Sequence, residues 1–217
     1  MNFYSTFDSG TPAIVLAEGA FGTPSGKTAH GVVMHGELFD ARVVVDSTCA
    51  GTTADAVLGP ESAPDVAIVD SIRSALDYAP EAKALVIGVA PAGGELPESW
   101  VADIKYAMRE GCDVISGLHM FLNDQEEWSG FASECGVELF DVRKPPTEAD
   151  LRVADGRTDD IDADVVVTMG TDCAVGKRTT TFELYQAARS AGLDAGWVAT
   201  GQTGIMIGAQ RGVVIDR

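Results

Sequence analysis

Lys177 and Arg178 stand where the sequence changes character, and the residues around them are those best suited to holding an anion. Before them a β-branched apolar run, Val165 to Thr168, is cut off by Gly170 and passes through Thr171, Asp172, Cys173, Ala174, Val175 and Gly176. After them Thr179 and Thr180 open a helix-like pattern. A strand, a glycine-bounded loop, a lysine and a helix make the layout of a phosphate-binding loop. Consecutive backbone N–H groups and the helix N-terminus face the anion, and the ammonium reaches the outer phosphate oxygens. Gly170 to Thr179 are therefore the candidate cofactor-binding residues.

The spacing departs from the standard loop, because five residues rather than four separate Gly170 from Gly176. The position after the lysine normally carries a Ser or Thr whose hydroxyl ligates magnesium, and here it is Arg178. Anion binding survives this change better than magnesium binding, and no metal site is expected. An ordinary strand-turn-helix connection could use the same glycines. The strand before the loop and the helix after it favour the phosphate reading.

A second small-residue turn, Glu18-Gly-Ala-Phe-Gly-Thr-Pro-Ser-Gly-Lys-Thr28, follows the apolar run Pro12 to Ala17. Gly19, Gly22 and Lys27 are its candidate ligand contacts. Their spacing is not the G-x-G-x-x-G fingerprint, and the turn suits an anion at a helix N-terminus and a plain tight turn equally well. Asp46 ends the run Arg42 to Val45. In a dinucleotide-binding unit such an acid accepts from a ribose hydroxyl; as a turn or N-cap carboxylate it would serve the backbone, and the missing fingerprint favours that second role. His119, just past the run Asp113 to Ser116, is the best-placed titratable group of the first half, although a lone histidine is more often structural. Thr200, Gly201, Gln202, Thr203 and Gly204 make a second polar glycine loop, expected beside the first in the sheet. Gln202 is its candidate oxyanion donor.

Such loops need a scaffold that brings strand ends to one edge. Apolar runs at Asp65–Val69, Ala84–Val89, Asp113–Ser116 and Val137–Phe140 alternate with helical patterns at Ile72–Tyr78, Glu98–Glu110 and Gln125–Glu134. That alternation predicts an α/β fold: a doubly wound, mainly parallel Rossmann-like sheet, followed by a partial P-loop NTPase-like α/β domain. The expected domains are residues 1–145 and 165–217, joined by a Pro- and Asp-rich linker at 146–164. After the expected strand Ala195–Thr200 no strand remains to carry the Asp that holds a magnesium-bound water. The second domain is thus expected to be truncated or completed by another chain, which makes a homo-oligomer the expected state.

The chain has 217 residues, of which 46% are hydrophobic, and 33 acidic against 15 basic residues give a formal charge of −18. Such a surface repels nucleic acid and anionic membranes, so neither is an expected partner. Acid scattered along the chain fits a solvated surface in a salt-rich cytoplasm, hence a halophilic source and a cytoplasmic location. The four cysteines share no C-x-x-C spacing and read as reduced thiols.

Several stretches together carry a resemblance: Leu16–Gly22, Lys27–Gly31, Ile87–Gly94, Ser116–His119, Asp141–Pro146, Gly170–Lys177 and Ala199–Met206. They are similar to a family of uncharacterised domains labelled NAD-dependent epimerase/dehydratase-like, which includes bacterial D-glutamate N-acetyltransferase. The resemblance implies a Rossmann-like domain followed by a P-loop domain. The Gly170-Thr-Asp run also resembles dethiobiotin synthetase, an ATP-dependent ligase with the same spacing, in which Thr follows the lysine. Three functions are therefore in play. The first is an acetyl-CoA-dependent N-acetyltransferase acting on a small acidic amino acid such as D-glutamate. The second is a ligase using ATP with magnesium, and the third an NAD-binding epimerase or dehydrogenase-like protein. The loop chemistry favours the first, with His119 and Gln202 as candidate catalytic residues.

Overall fold

β1 (Thr11–Leu16) and β4 (Ala84–Ile87) lie side by side at the centre of a six-stranded, all-parallel sheet, in a computed structural model that describes residues 3–89, 91, 94–145, 147, 156, 160–172 and 175–214. Every residue of β4 and the last four of β1 are buried, as strands covered by helices on both faces must be, and this is why both read as unbroken apolar runs. β2 (Phe39–Val45) and β3 (Ala67–Val69) flank β1, while β5 (Asp113–Ser116) and β6 (Leu139–Asp141) flank β4. The order β3-β2-β1-β4-β5-β6 reverses direction between β1 and β4, the switch point of a doubly wound sheet.

The crossover helices are α1 (Lys27–His35), α2 (Ala54–Leu58), α3 (Ile72–Tyr78), α4 (Glu98–Arg109) and α5 (Glu126–Cys135). In α4 the buried residues Trp100, Ile104, Ala107 and Met108 recur at helical spacing and form the stripe that faces the core. Ser71 caps α3 by accepting from the Ser74 amide. α5 stops at Gly136, whose φ of 70° is the left-handed conformation that glycine adopts without strain.

The chain divides into two compact units, one formed by Met1–Lys144 with Ala199–Arg217 and the other by Pro145–Val198. The second unit holds α6 (Lys177–Ser190), whose buried Phe182 and Tyr185 pack on Trp197. Val198–Ala199 (β7) and Arg211–Gly212 (β8) form a small two-stranded sheet, and α7 (Gln202–Ile207) lies between them in sequence.

Three expected elements differ. Val165 to Thr168 is not a strand: no described residue forms a ladder with it, and Val165, Val166 and Val167 are 72%, 72% and 71% exposed. β-branched composition favours a pleated conformation, but a strand exists only through pairing. The run Ala195–Thr200 contributes only Val198–Ala199 to a strand, and Gln202, Thr203 and Gly204 open a helix rather than a free loop. That helix belongs with the Rossmann-like unit. Much of the expected linker, residues 146, 148–155 and 157–159, lies outside the described residues.

Candidate phosphate loop and sheet-edge cluster

In the second unit Gly176 takes φ 90°, a left-handed turn that lets the chain enter α6 at Lys177 without a side-chain cap. The Thr180 amide donates to Gly176 O at 2.9 Å and closes the first turn of α6, so the Lys177, Arg178 and Thr179 amides precede the first intrahelical bond. The Lys177 ammonium curls back to donate to Asp172 O, which places the charge inside the loop. Gly170 permits this: a Cβ there would meet Val175 Cγ2 at 2.9 Å and the Lys177 stem at 3.2 Å. Thr168 and Thr181 share a 2.5 Å contact between hydroxyls, and Thr181 donates to Lys177 O at 2.8 Å, tying the preceding run to the helix. Arg178 is half-buried and its Nη1 has no hydrogen-bond partner among the described residues; burial pushes the guanidinium below its ordinary value. Thr171, Asp172, Val175 and Gly176 are exposed, whereas Cys173 and Ala174 lie outside the described residues.

In the Rossmann-like unit the turn after β1 closes on a carboxylate of its own chain. Asp46, fully buried at the end of β2, accepts from the amides of Gly19 (3.1 Å), Ala20 (3.1 Å) and Phe21 (2.8 Å) and from the amide and hydroxyl of Thr48 (2.9 and 2.6 Å). Burial alone would raise its pKa, but the bonds from Thr48, Phe21 and Gly19 outweigh it and hold the group below the ordinary aspartate value. Gly19 needs its φ of 68° to aim the turn inward, while Gly22 is exposed. Lys27 is exposed at the start of α1. The Ala29 amide of that helix donates to Gly88 O at 2.9 Å, docking α1 over the end of β4.

Other edge loops gather around α7. Thr28 and Thr203 share a hydroxyl contact at 2.9 Å, and the Glu37 and Leu38 amides donate to Ile207 O at 2.8 and 3.1 Å. Gln202 sits against Gly117, where a Cβ would meet its Oε1 at 2.8 Å, and accepts from Arg143 Nη1 at 3.1 Å. His119 is exposed, with its ring against Gly94 and its amide donating to Gly94 O at 3.0 Å. Thr200 is exposed, Gly201 half-buried and Gly204 buried. Thr28, Arg143, Thr168 and Thr181 were not among the candidate site residues of the sequence, although Thr28 lies in the stretch Lys27–Gly31 and Arg143 in Asp141–Pro146. Cys49, Cys112 and Cys135 are unpaired, and burial pushes the Cys112 thiol up to about 11. Among the described residues no helix is long and apolar enough to cross a membrane.

Residues 47–145 match a domain of unknown function described as the DUF1611_N Rossmann-like domain, and residues 152–217 match the DUF1611_C P-loop domain. D-glutamate N-acetyltransferase from Pseudoalteromonas sp is 36% identical over 135 residues, and its namesake from Tritonibacter scottomollicae 38% over 135 residues. Each match spans 62% of this chain and 39% of the relative's length. The crystal structure of a DUF1611 family protein from Anabaena variabilis matches with a TM-score of 0.81 and 32% identity, over 92% of this chain and 57% of that one. The epimerase label attached to the resemblance finds no support in these matches. In order along the chain stand a Rossmann-like domain and a P-loop domain, which match the DUF1611_N and DUF1611_C models.

Proposed function

We propose that this chain is an acetyl-CoA-dependent N-acetyltransferase acting on the amine of a small acidic amino acid such as D-glutamate. The observation that carries the reading is the pair of relatives bearing that name, at 36% and 38% identity. Loop chemistry agrees with it. A phosphate-bearing cofactor without magnesium fits a site where the lysine is followed by a half-buried arginine whose Nη1 lacks a partner among the described residues, because a phosphate oxygen is the acceptor such a group needs.

In the P-loop unit, Lys177, Arg178 and the open amides of the first α6 turn hold the phosphate. Acetyl-CoA, when bound, supplies an acetyl thioester whose carbonyl carbon forms the new C–N bond as its C–S bond breaks and the thiol leaves. In the Rossmann-like unit, His119 accepts the proton that the attacking amine must lose. Gln202 gives its Oε1 to Arg143, so its Nε2 hydrogens are the ones turned outward as donors to a developing oxyanion.

The turn at Gly19–Phe21 argues against a dinucleotide there. Its amides already serve Asp46, and Asp46 spends both oxygens on the chain rather than on a ribose.

The test is acetyl transfer from acetyl-CoA to D-glutamate, followed as release of free thiol, with L-glutamate as the stereochemical control. Parallel thermal-shift titrations with acetyl-CoA, ATP with magnesium, and NAD identify the ligand, since one that binds only the folded state raises Tm. Thiol release with a Tm increase for acetyl-CoA alone supports the transferase. Stabilisation by ATP with magnesium alone turns the assignment to a ligase, and by NAD alone to a dinucleotide protein.

A further inference from the structure

Asp46 is fully buried just past the end of β2, and five donors from two loops converge on its carboxylate. The amides of Gly19, Ala20 and Phe21 come from the turn after β1, and the amide and hydroxyl of Thr48 from its own loop, all at 2.6 to 3.1 Å. We propose that this turn is an oxyanion-binding nest whose resident anion is Asp46, and that Asp46 is the residue that closes it to a ligand carboxylate or phosphate. The inference does not depend on the transferase reading.

Place comes first. β1 borders the switch point of the sheet, and the turn after its carboxyl end is where a doubly wound fold offers backbone amides to a ligand phosphate. Three successive amides turn to one side there, the arrangement by which backbone concavities bind anions. In a dinucleotide-binding unit an acid at the end of the second strand faces a ribose hydroxyl. This one takes the amides instead.

The nest does not owe its shape to the carboxylate. Ala17 O also accepts from the Ala20 amide at 2.9 Å, and Ala20 O accepts from the Thr23 amide at 2.9 Å and the Thr23 hydroxyl at 3.0 Å. His30 Nε2 donates to Phe21 O at 2.5 Å. On the other side Glu18 accepts from the Ser47 amide at 2.8 Å and its hydroxyl at 2.5 Å, holding the loop that carries Thr48. None of these bonds involves Asp46, so removing its carboxylate leaves the donors gathered around a space of carboxylate size. Gly19 and Thr48 are exposed, and a small ion can reach that space from the surface.

Charge decides what the nest holds. Burial raises the Asp46 pKa, but the bonds from Thr48, Phe21 and Gly19 outweigh it, so the donors favour an ionised occupant over a neutral one.

The experiment is thermal melting of the wild-type protein, Asp46→Ala and Asp46→Asn at neutral pH, titrated with sodium formate against sodium chloride at equal ionic strength. Formate replaces the carboxylate that Asp46→Ala lacks, and the chloride series absorbs the general effect of salt on a chain of formal charge −18. Asp46→Ala should melt below wild type, and formate should raise its Tm by roughly 3 to 10 °C along a saturating curve, beyond any effect of chloride. Wild type and Asp46→Asn, whose side chains fill the space, should respond equally to the two salts. A formate response that Asp46→Ala lacks, or that all three proteins share, overturns the proposal. If Asp46→Ala does not fold in chloride, its circular dichroism is followed across the same formate series. Recovery of the fold in formate alone upholds the nest, and no recovery overturns it.

Discussion

The Phe21 amide donates to Asp46 Oδ2 at 2.8 Å, so the glycine turn after β1 is folded around an anion the chain carries itself. Asp46→Asn would turn an amide N–H2 toward the backbone N–H groups that now meet a carboxylate. We expect a loss of roughly 2 to 3 kcal/mol of unfolding free energy, measured by urea denaturation at neutral pH. An unchanged midpoint would mean that the turn is held by something other than this carboxylate.

The same group sets a pH dependence. Asp46 has a depressed pKa when folded, so its contribution is complete above the unfolded-state value of about 3.9 and is lost as pH falls through the lower folded value. Asp141, raised mainly by burial and only partly offset by the Asn123 and Leu122 amides, has the opposite slope, which weakens the net acid response. Comparing wild type with Asp46→Asn isolates Asp46. The stability difference between them should be constant from neutral pH down to about 4 and shrink below it, and a difference that persists to the most acid condition would contradict the assignment.

Lys177→Ala removes a charge-assisted contact from an exposed loop. If the loop holds a phosphate, cofactor affinity should fall about ten- to a hundred-fold while the melting temperature stays put. Calorimetry with acetyl-CoA reads the first quantity and a thermal melt the second.

Arg178 should behave in the opposite sense for stability. Its Nη1 is buried without a partner among the described residues, so Arg178→Met, which keeps the stem and removes the charge, should stabilise the ligand-free protein by about 1 kcal/mol and weaken phosphate binding. Arg178→Thr tests the alternative nucleotide, since it restores a hydroxyl where magnesium expects one. A gain of magnesium-dependent ATP binding would mark a triphosphate pocket, and loss of acetyl-CoA binding with no such gain would assign Arg178 to the phosphate.

The parallel sheet was legible because burial on both faces writes itself as continuous apolar runs: β1, β4 and β5 stand at the runs Pro12–Ala17, Ala84–Val89 and Asp113–Ser116. Val165–Thr168 has the same composition and is no strand, because pairing is a property of neighbours and not of the run itself. The edge cluster was illegible for a related reason. Thr28 meets Thr203 across 175 residues and Arg143 meets Gln202 across 59, and no local pattern announces contacts of that range. The missing fingerprint favours Asp46 as a turn or N-cap carboxylate serving the backbone, but that the amides of Gly19 to Phe21 would be its partners depends on the register of β1 on β2.

Two glycines at neighbouring strand ends separate packing from positioning. At Gly88 a Cβ would lie 2.6 Å from Ala29 Cβ, 2.9 Å from its Cα and 3.1 Å from its N, and the Ala29 amide donates to Gly88 O. None of those atoms can swing aside, so Gly88→Ala must push α1 off the sheet, at a cost of roughly 1 to 3 kcal/mol. At Gly117 the obstructing atoms are the end of the Gln202 side chain, at 2.8 and 3.0 Å, and Met206 Cε at 3.2 Å, all on rotatable bonds. Gly117→Ala should therefore leave the melting temperature within a degree or two of wild type while dislodging Gln202 from Arg143. On the transferase reading, in which Gln202 donates to the developing oxyanion, it should lower kcat without touching KM for acetyl-CoA. Equal destabilisation by the two substitutions would mean that Gln202 is wedged as rigidly as the helix, and an unaltered kcat in Gly117→Ala would mean that its contact with Arg143 orients nothing.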